Sequence, residues 1–256
     1  KKLYPNQFVM LISEANEKKT ALSKYINSNT KLQEVVQYKN NSVWGVRSRN
    51  KEQLFALNLL MDPNIPIVSL VGKAGSGKTL LATAAGLQQV MEQDNEPMYK
   101  RLIISRPIQP LGNDIGFLPG TMQEKMAPWL MPIQDNLQFL MGDDKSTLEM
   151  YVDKGIIEIE ALTYIRGRSI SNAFIIIDEA QNLTTHEIKT IITRVGEGTK
   201  IVFTGDIDQI DNVYVDATTN GLTYTIEKIK DYDVAGHVTL QRGERSKVAT
   251  LGANIL

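Results

Sequence analysis

The sequence predicts an α/β fold, a mostly parallel sheet with helices on both faces, preceded by a small β-rich lead-in. Three observations predict it. From residue 65 onward, short apolar runs alternate with segments of helical spacing. The octapeptide Gly72-Lys73-Ala74-Gly75-Ser76-Gly77-Lys78-Thr79 fits the phosphate-binding pattern G-x-x-x-x-G-K-[ST] at each fixed position. It lies between an apolar run and an Ala- and Leu-rich stretch, the strand–loop–helix order that the pattern requires. A later apolar run, Phe174-Ile-Ile-Ile, ends in the paired carboxylates Asp178 and Glu179.

Taken in order, residues 8–12, 20–26 and 31–36 are short segments separated by turn chemistry, and they predict the β-rich lead-in over 1–43. Residues 39–42 read as a linker, and the main domain is expected over 44–256. An amphipathic helix over 49–61 carries Leu54, Leu57, Leu60 and Met61 on one face. Strands are expected at 65–71, 101–105, 156–160, 174–178, 200–204 and 237–240, and helices at 79–91, 121–141, 184–195, 219–230 and 246–256. In such sheets ligands bind at the carboxyl ends of the strands, and each motif below follows a strand.

Composition bounds the function. The chain has 256 residues, 42% of them hydrophobic and 22% charged, as a globular protein has. It contains no cysteine, which excludes disulfides, thiolate metal sites and a cysteine nucleophile and fits a reducing, cytoplasmic setting. No apolar run approaches the ~18 residues that cross a membrane, and no signal-peptide pattern opens the chain. The net charge of −1 gives no basic field for wrapping a duplex, but leaves room for a narrow groove holding a single strand. The start at Lys1-Lys2-Leu3, without Met, is read as a piece of a longer protein. His186 and His237 lack metal-ligand partners in sequence and receive no role.

The chemistry follows from residue types. Glycines let the loop backbone point successive N–H groups inward as an anion nest, and the helix that follows adds its positive end. Lys78 is expected on the β- and γ-phosphates, with Thr79 and Asp178 on Mg²⁺ and Glu179 polarising the attacking water. Two acids at a strand end could also be merely solvated; the loop a hundred residues earlier favours the functional reading. In the segment 200–209, Thr204, Asp206 and Gln209 could sense the γ-phosphate, or could cap a turn built on Gly205-Asp206. Gln53 could read both hydrogen-bonding edges of adenine and so select ATP, although a surface helix glutamine needs no such explanation.

Gln53, the 72–79 loop, Asp-Glu-Ala-Gln at 178–181 and Gly-Asp-x-x-Gln at 205–209 resemble the ATPase core of superfamily 1 helicases, a RecA-like P-loop NTPase fold. Three further stretches make the chain resemble the PhoH family more closely: 106–120, from Arg106 to Gly120; Tyr164-Ile-Arg-Gly-Arg-Ser169; and Gly243-Glu-Arg-Ser246. The resemblance covers about 44–256 and is strongest to the larger members, which carry an upstream PIN ribonuclease domain. It implies ATP hydrolysis coupled to single-stranded RNA, with unwinding, in a ring-shaped homo-oligomer such as a hexamer. A ring also answers a structural need. Superfamily 1 enzymes place the nucleotide between two such domains, and this chain has length for one.

Phosphoryl transfer calls for a cation on the developing charge. Arg245 matches the family's Gly-Glu-Arg-Ser position and is favoured; Arg242, Arg166 and Arg168 are the other candidates, acting in cis or in trans. For RNA, Arg106 and Phe117 in the proline-braced 106–120 stretch are the candidates, Phe117 as a base-stacking surface or as core. Met122, Met126, Met131, Met141, Trp129 and Phe139 read as core or subunit contact. The leading function is an RNA-stimulated ATPase, the motor of a larger RNA-processing protein. The alternatives are a nucleotide-dependent oligomerisation switch without unwinding and a small-molecule kinase. An acid beside the Mg²⁺ ligand suits activation of water and counts against the kinase.

Overall fold

The computed structural model describes residues 2–26, 31–38, 42–91, 96–107, 122–142, 145–165, 167 and 169–243, with side chains left aside at 122–127, 163 and 164. A six-stranded sheet forms the centre, in the order β11 (Ala235–Leu240), β6 (Ile67–Gly72), β10 (Lys200–Gly205), β9 (Ala173–Ile177), β7 (Arg101–Arg106), β8 (Ile157–Ala161). Every pair in it is parallel. Each expected strand is present, displaced by at most two residues at an end in five of the six, and by two residues at the start of β11.

The strand sequences dictate that burial. β9 reads Ala-Phe-Ile-Ile-Ile and is buried at every position, as a central parallel strand must be when helices cover both faces. Alternate residues supply two cores. Val68, Leu70, Leu102, Ile104, Phe174, Ile176 and Val202 face α1 (Lys51–Met61), α2 (Lys78–Val90) and α3 (Met122–Leu140). Ile103, Ile175, Ile177, Ile201 and Phe203 join the opposite core with α5 (Leu162–Ile165), α6 (Thr185–Ile192) and α7 (Gly221–Ile229). Register is in step across the centre, with Val202 opposite both Val68 and Ile176. The carboxyl ends of β6, β7, β9 and β10 therefore reach one edge together.

Two elements escape the sequence reading besides the single turn of α5. A helix α4 (Lys145–Asp153) follows α3, and a hairpin joins β4 (Ser42–Val43) to β5 (Val46–Arg47). Ser42, expected in a linker, thus opens a strand, and the boundary drawn between 43 and 44 falls inside this hairpin. Its turn is Trp44-Gly45, both with positive φ (47° and 74°), as the favoured tight hairpin turn requires. Trp44 fixes it to the helices: the backbone N–H donates to Gln88 Oε1 at 3.0 Å and the indole Nε1 to the Leu140 carbonyl at 2.9 Å. The expected helix at 246–256 lies outside the described residues.

The lead-in is a three-stranded antiparallel sheet of β1 (Phe8–Ser13), β2 (Asn16–Ile26) and β3 (Lys31–Glu34). It docks by specific contacts. Phe8 stacks on Phe55 of α1 with ring centroids 4.3 Å apart, and Asn6 Nδ2 donates to the carbonyls of Asp233 and Ala235. Lys24 pairs with Asp62, the C-cap of α1, at 2.5 Å. Beside that pair, the fully buried Lys200 donates to the carbonyls of Leu59 (2.9 Å) and Asp62 (2.7 Å). Burial pushes its ammonium down to about 7. No helix among the described residues is long and apolar enough to cross a membrane.

Candidate nucleotide site

The phosphate loop joins β6 to α2 at the shared sheet edge. Gly75 and Gly77 take φ values of 79° and 91°, which residues with a Cβ rarely adopt, so the loop can curl over the start of α2. Gly77 is the N-cap of α2 and supplies no side chain to the helix's first N–H groups. A helix start left in this way suits an anion.

Thr79 lies in the first turn of α2, and its hydroxyl donates to Asp178 Oδ1 at 2.8 Å. Asp178, 6% exposed, immediately follows β9, and the same Oδ1 accepts from Thr204 Oγ1 of β10 at 2.5 Å. The start of α2 and the ends of β9 and β10 thus meet on one carboxylate. Lys78 folds back on the loop, its Nζ donating to the carbonyls of Gly72 (2.6 Å) and Lys73 (3.1 Å). Ser76 Oγ is buried, with no hydrogen-bond partner among the described residues. A buried hydroxyl without a partner is costly, and an anion seated in the loop would supply the missing acceptor.

Glu179 adopts a left-handed conformation (φ 53°) at the turn from β9 into the short 3₁₀ turn Ala180–Asn182. Its two carboxylate oxygens take different donors. Arg106 Nη2, at the end of β7, lies 3.3 Å from Oε1, and Gln181 Nε2 donates to Oε2 at 2.6 Å. Gln181 is fully buried; Nε2 also donates to the Gln209 carbonyl (2.8 Å), and its Oε1 accepts from the Asp206 amide (3.1 Å). Asp206 in turn accepts the Ala74 amide hydrogen at 2.7 Å.

The expected residues thus assemble unevenly. Gly72–Thr79, Asp178 and Glu179 form one cluster with Thr204 and Asp206. Gln209 joins through its backbone, while its side chain is exposed. Gln53, 5% exposed, bridges α1 and the loop: Nε2 donates to the Ser76 carbonyl at 3.1 Å and Oε1 accepts from the Arg49 amide at 2.8 Å. Arg242 is exposed just beyond β11, whose Leu240 pairs with Gly72. Arg245, Phe117, Arg166 and Arg168 lie outside the described residues.

Two residues matter to which the sequence reading gave no part in the site. Gln181 belongs to the Asp-Glu-Ala-Gln run, but nothing in the run signals that its amide links Glu179 to the 205–209 segment. Phe139, read as core or subunit contact, is 66% exposed. It lies off the stripe of α3 that buries Ile133 and Leu137, and it lines a cleft of about 590 Å³ beside the loop, with Arg47, Arg49, Gln53, Gly75 and Gly77.

Among the described residues no group of three or more His, Cys, Asp or Glu could hold a metal ion unaided. Mg²⁺ at phosphate sites takes one or two protein oxygens, with phosphate and water completing the shell. Asp178 and Thr79 could supply two such oxygens.

The family model described as "PhoH-like protein" matches residues 45–251. The chain is 49% identical over 255 residues to Protein PhoH2 of Bacillus subtilis (strain 168), covering 99% of this chain and 57% of that protein. It is 41% identical over 215 residues to Protein PhoH2 of Mycolicibacterium smegmatis, covering 84% and 48%. A PhoH-like protein of Mycobacterium tuberculosis matches at 39% over 167 residues, covering 65% and 45%. The chain spans about half the length of the curated relatives it matches.

Proposed function

The chain belongs to the PhoH-like protein family, and from that premise we propose that it hydrolyses ATP with Mg²⁺ and couples hydrolysis to single-stranded RNA, as the motor module of a longer RNA-processing protein. The observation that carries this reading is the Thr79–Asp178 contact at 2.8 Å, with the Lys78 ammonium resting beside it on two loop carbonyls. A hydroxyl and a carboxylate at this spacing are the protein's share of a Mg²⁺ shell.

In this reading the loop amides and the start of α2 receive the phosphates, and Lys78 leaves its carbonyls for the β- and γ-oxygens. Mg²⁺, when bound, neutralises phosphate charge and helps to hold the chain in line for attack. Glu179 accepts the proton of the attacking water. Thr204 holds Asp178 from behind, and Asp206, Gln181 and Gln209 carry the phosphate state to the rest of the sheet edge. The base occupies the cleft lined by Phe139 and Gln53.

The cation that meets the γ-phosphate is assigned to Arg245, with Arg242 next, and RNA contact to Arg106 and Phe117. A ring of copies is supported by Val213 and Tyr214, which are 87% and 88% exposed on the loop after β10. Paired apolar side chains so open to solvent suit a protein contact. An upstream PIN-type ribonuclease domain and action in the cytoplasm complete the proposal.

ATPase rates with and without single-stranded RNA, for the parent protein and Lys78→Ala, test it. The parent is expected to hydrolyse ATP faster with RNA, and the variant to lose at least tenfold. No hydrolysis by the parent, or an undiminished rate in the variant, overturns it.

A further inference from the structure

Glu179 has side chains on both carboxylate oxygens, Arg106 at 3.3 Å and Gln181 at 2.6 Å. The backbone around it is fixed. The Asp178 amide donates to the Ser105 carbonyl at 2.8 Å, and the Asn182 amide donates to the Glu179 carbonyl at 3.1 Å. The left-handed φ of 53° costs energy for a residue with a side chain and persists only where its surroundings over-determine it. The freedom that remains is therefore in the side chain.

A carboxylate acts as a base through a lone pair aimed at the water and through charge not already neutralised. A guanidinium on one oxygen lowers both. Arg106 is the last residue of β7, on the same sheet face as Asp178, and its side chain is 23% exposed against 32% for Glu179. The pair lies at the rim, where an outside anion can reach the guanidinium, and the planar fork matches two phosphate oxygens at least as well as two carboxylate oxygens.

We propose that Arg106 is a positioning residue that restrains Glu179, and that a nucleic-acid phosphodiester drawing Arg106 away frees the carboxylate for hydrolysis. The proposal rests on the ATP-hydrolysis reading above and adds its regulation. It turns Arg106 from a plain RNA contact into the link between the strand and the chemistry. Gln181 stays on Glu179 throughout, so the freed carboxylate remains oriented, and its link to Asp206 ties it to the loop.

The test is steady-state ATPase kinetics on the parent, Arg106→Gln and Arg106→Lys, with and without a uridylate oligomer, alongside ATP-analogue binding and thermal melting. Loss of the restraint is expected to raise the RNA-free kcat about two- to fivefold, the range of a partly exposed ion pair, with KM for ATP unchanged within twofold. The oligomer then adds little to Arg106→Gln. Arg106→Lys, which keeps a cation without the fork, falls between the other two and guards against a folding defect in Arg106→Gln. A parent that hydrolyses ATP beside an Arg106→Gln whose RNA-free kcat is unchanged or lower overturns the restraint alone. Absence of hydrolysis in all three proteins overturns the restraint and the hydrolysis reading together.

Discussion

The carboxylate of Asp206 accepts the amide hydrogen of Ala74 at 2.7 Å, so the segment after β10 is fastened to the phosphate loop through a charged hydrogen bond. That loop amide is also one an arriving phosphate would claim. On the proposed ATP reading, Asp206 is then a placeholder that gives this amide up to the phosphate.

Without nucleotide, Asp206→Ala should lower stability to urea by about 1.5–3 kcal/mol, the worth of a hydrogen bond to a charged group. With a saturating ATP analogue the deficit should shrink, because phosphate takes over the amide. A deficit of the same size in both conditions would contradict the placeholder role.

Gly86 lies inside α2, where alanine would ordinarily add about 1 kcal/mol of helix stability. Here the added Cβ would stand 2.7 Å from Leu102 Cδ1 and 3.1 Å from Phe174 Cδ1, both in fully buried side chains. Overpacking of about 1–3 kcal/mol cancels or outweighs that gain, and Gly86→Ala should cost up to about 2 kcal/mol net by chemical denaturation. A variant about 1 kcal/mol more stable than the parent would mean that α2 rides further from the sheet than these contacts require.

Lys200 carries a pH dependence of definite sign. Its folded value near 7 lies below the ordinary lysine value of 10.5, with burial the largest cause. Between those values the unfolded chain binds a proton that the folded one does not, so stability rises with pH, by up to about 1.4 kcal/mol per unit from this group. Unfolding at pH 7 to 9.5, below the range where the buried Tyr99, held up to about 12, begins to oppose it, should show that rise. Lys200→Met should flatten it, and an equal slope in the variant would show Lys200 charged in the fold.

Much of this was legible in the residues because the signals were local. The octapeptide at 72–79 needs only its neighbours to be read, and a fully apolar run such as 173–177 announces a covered parallel strand. The β4–β5 hairpin was hidden because each of its strands has only two residues, too few for any alternation to show. Phe139, read as core or subunit contact, is not core, and that half of the reading could be decided only once the buried stripe of α3 is located. The pairing of Arg106 with Glu179 joins residues 73 apart in sequence, and it depends on β7 lying beside β9. Strand order of that kind is set by tertiary packing and has no short-range mark.

The central claim is that this sheet edge hydrolyses ATP through Glu179. The most direct measurement sets ATP turnover beside ATP binding, in Mg²⁺, for the parent and Glu179→Gln. The account predicts turnover by the parent, and in the variant binding within a few-fold with turnover lower by about a hundredfold or more. Parent-like turnover in Glu179→Gln, or a parent that binds no ATP, would contradict it.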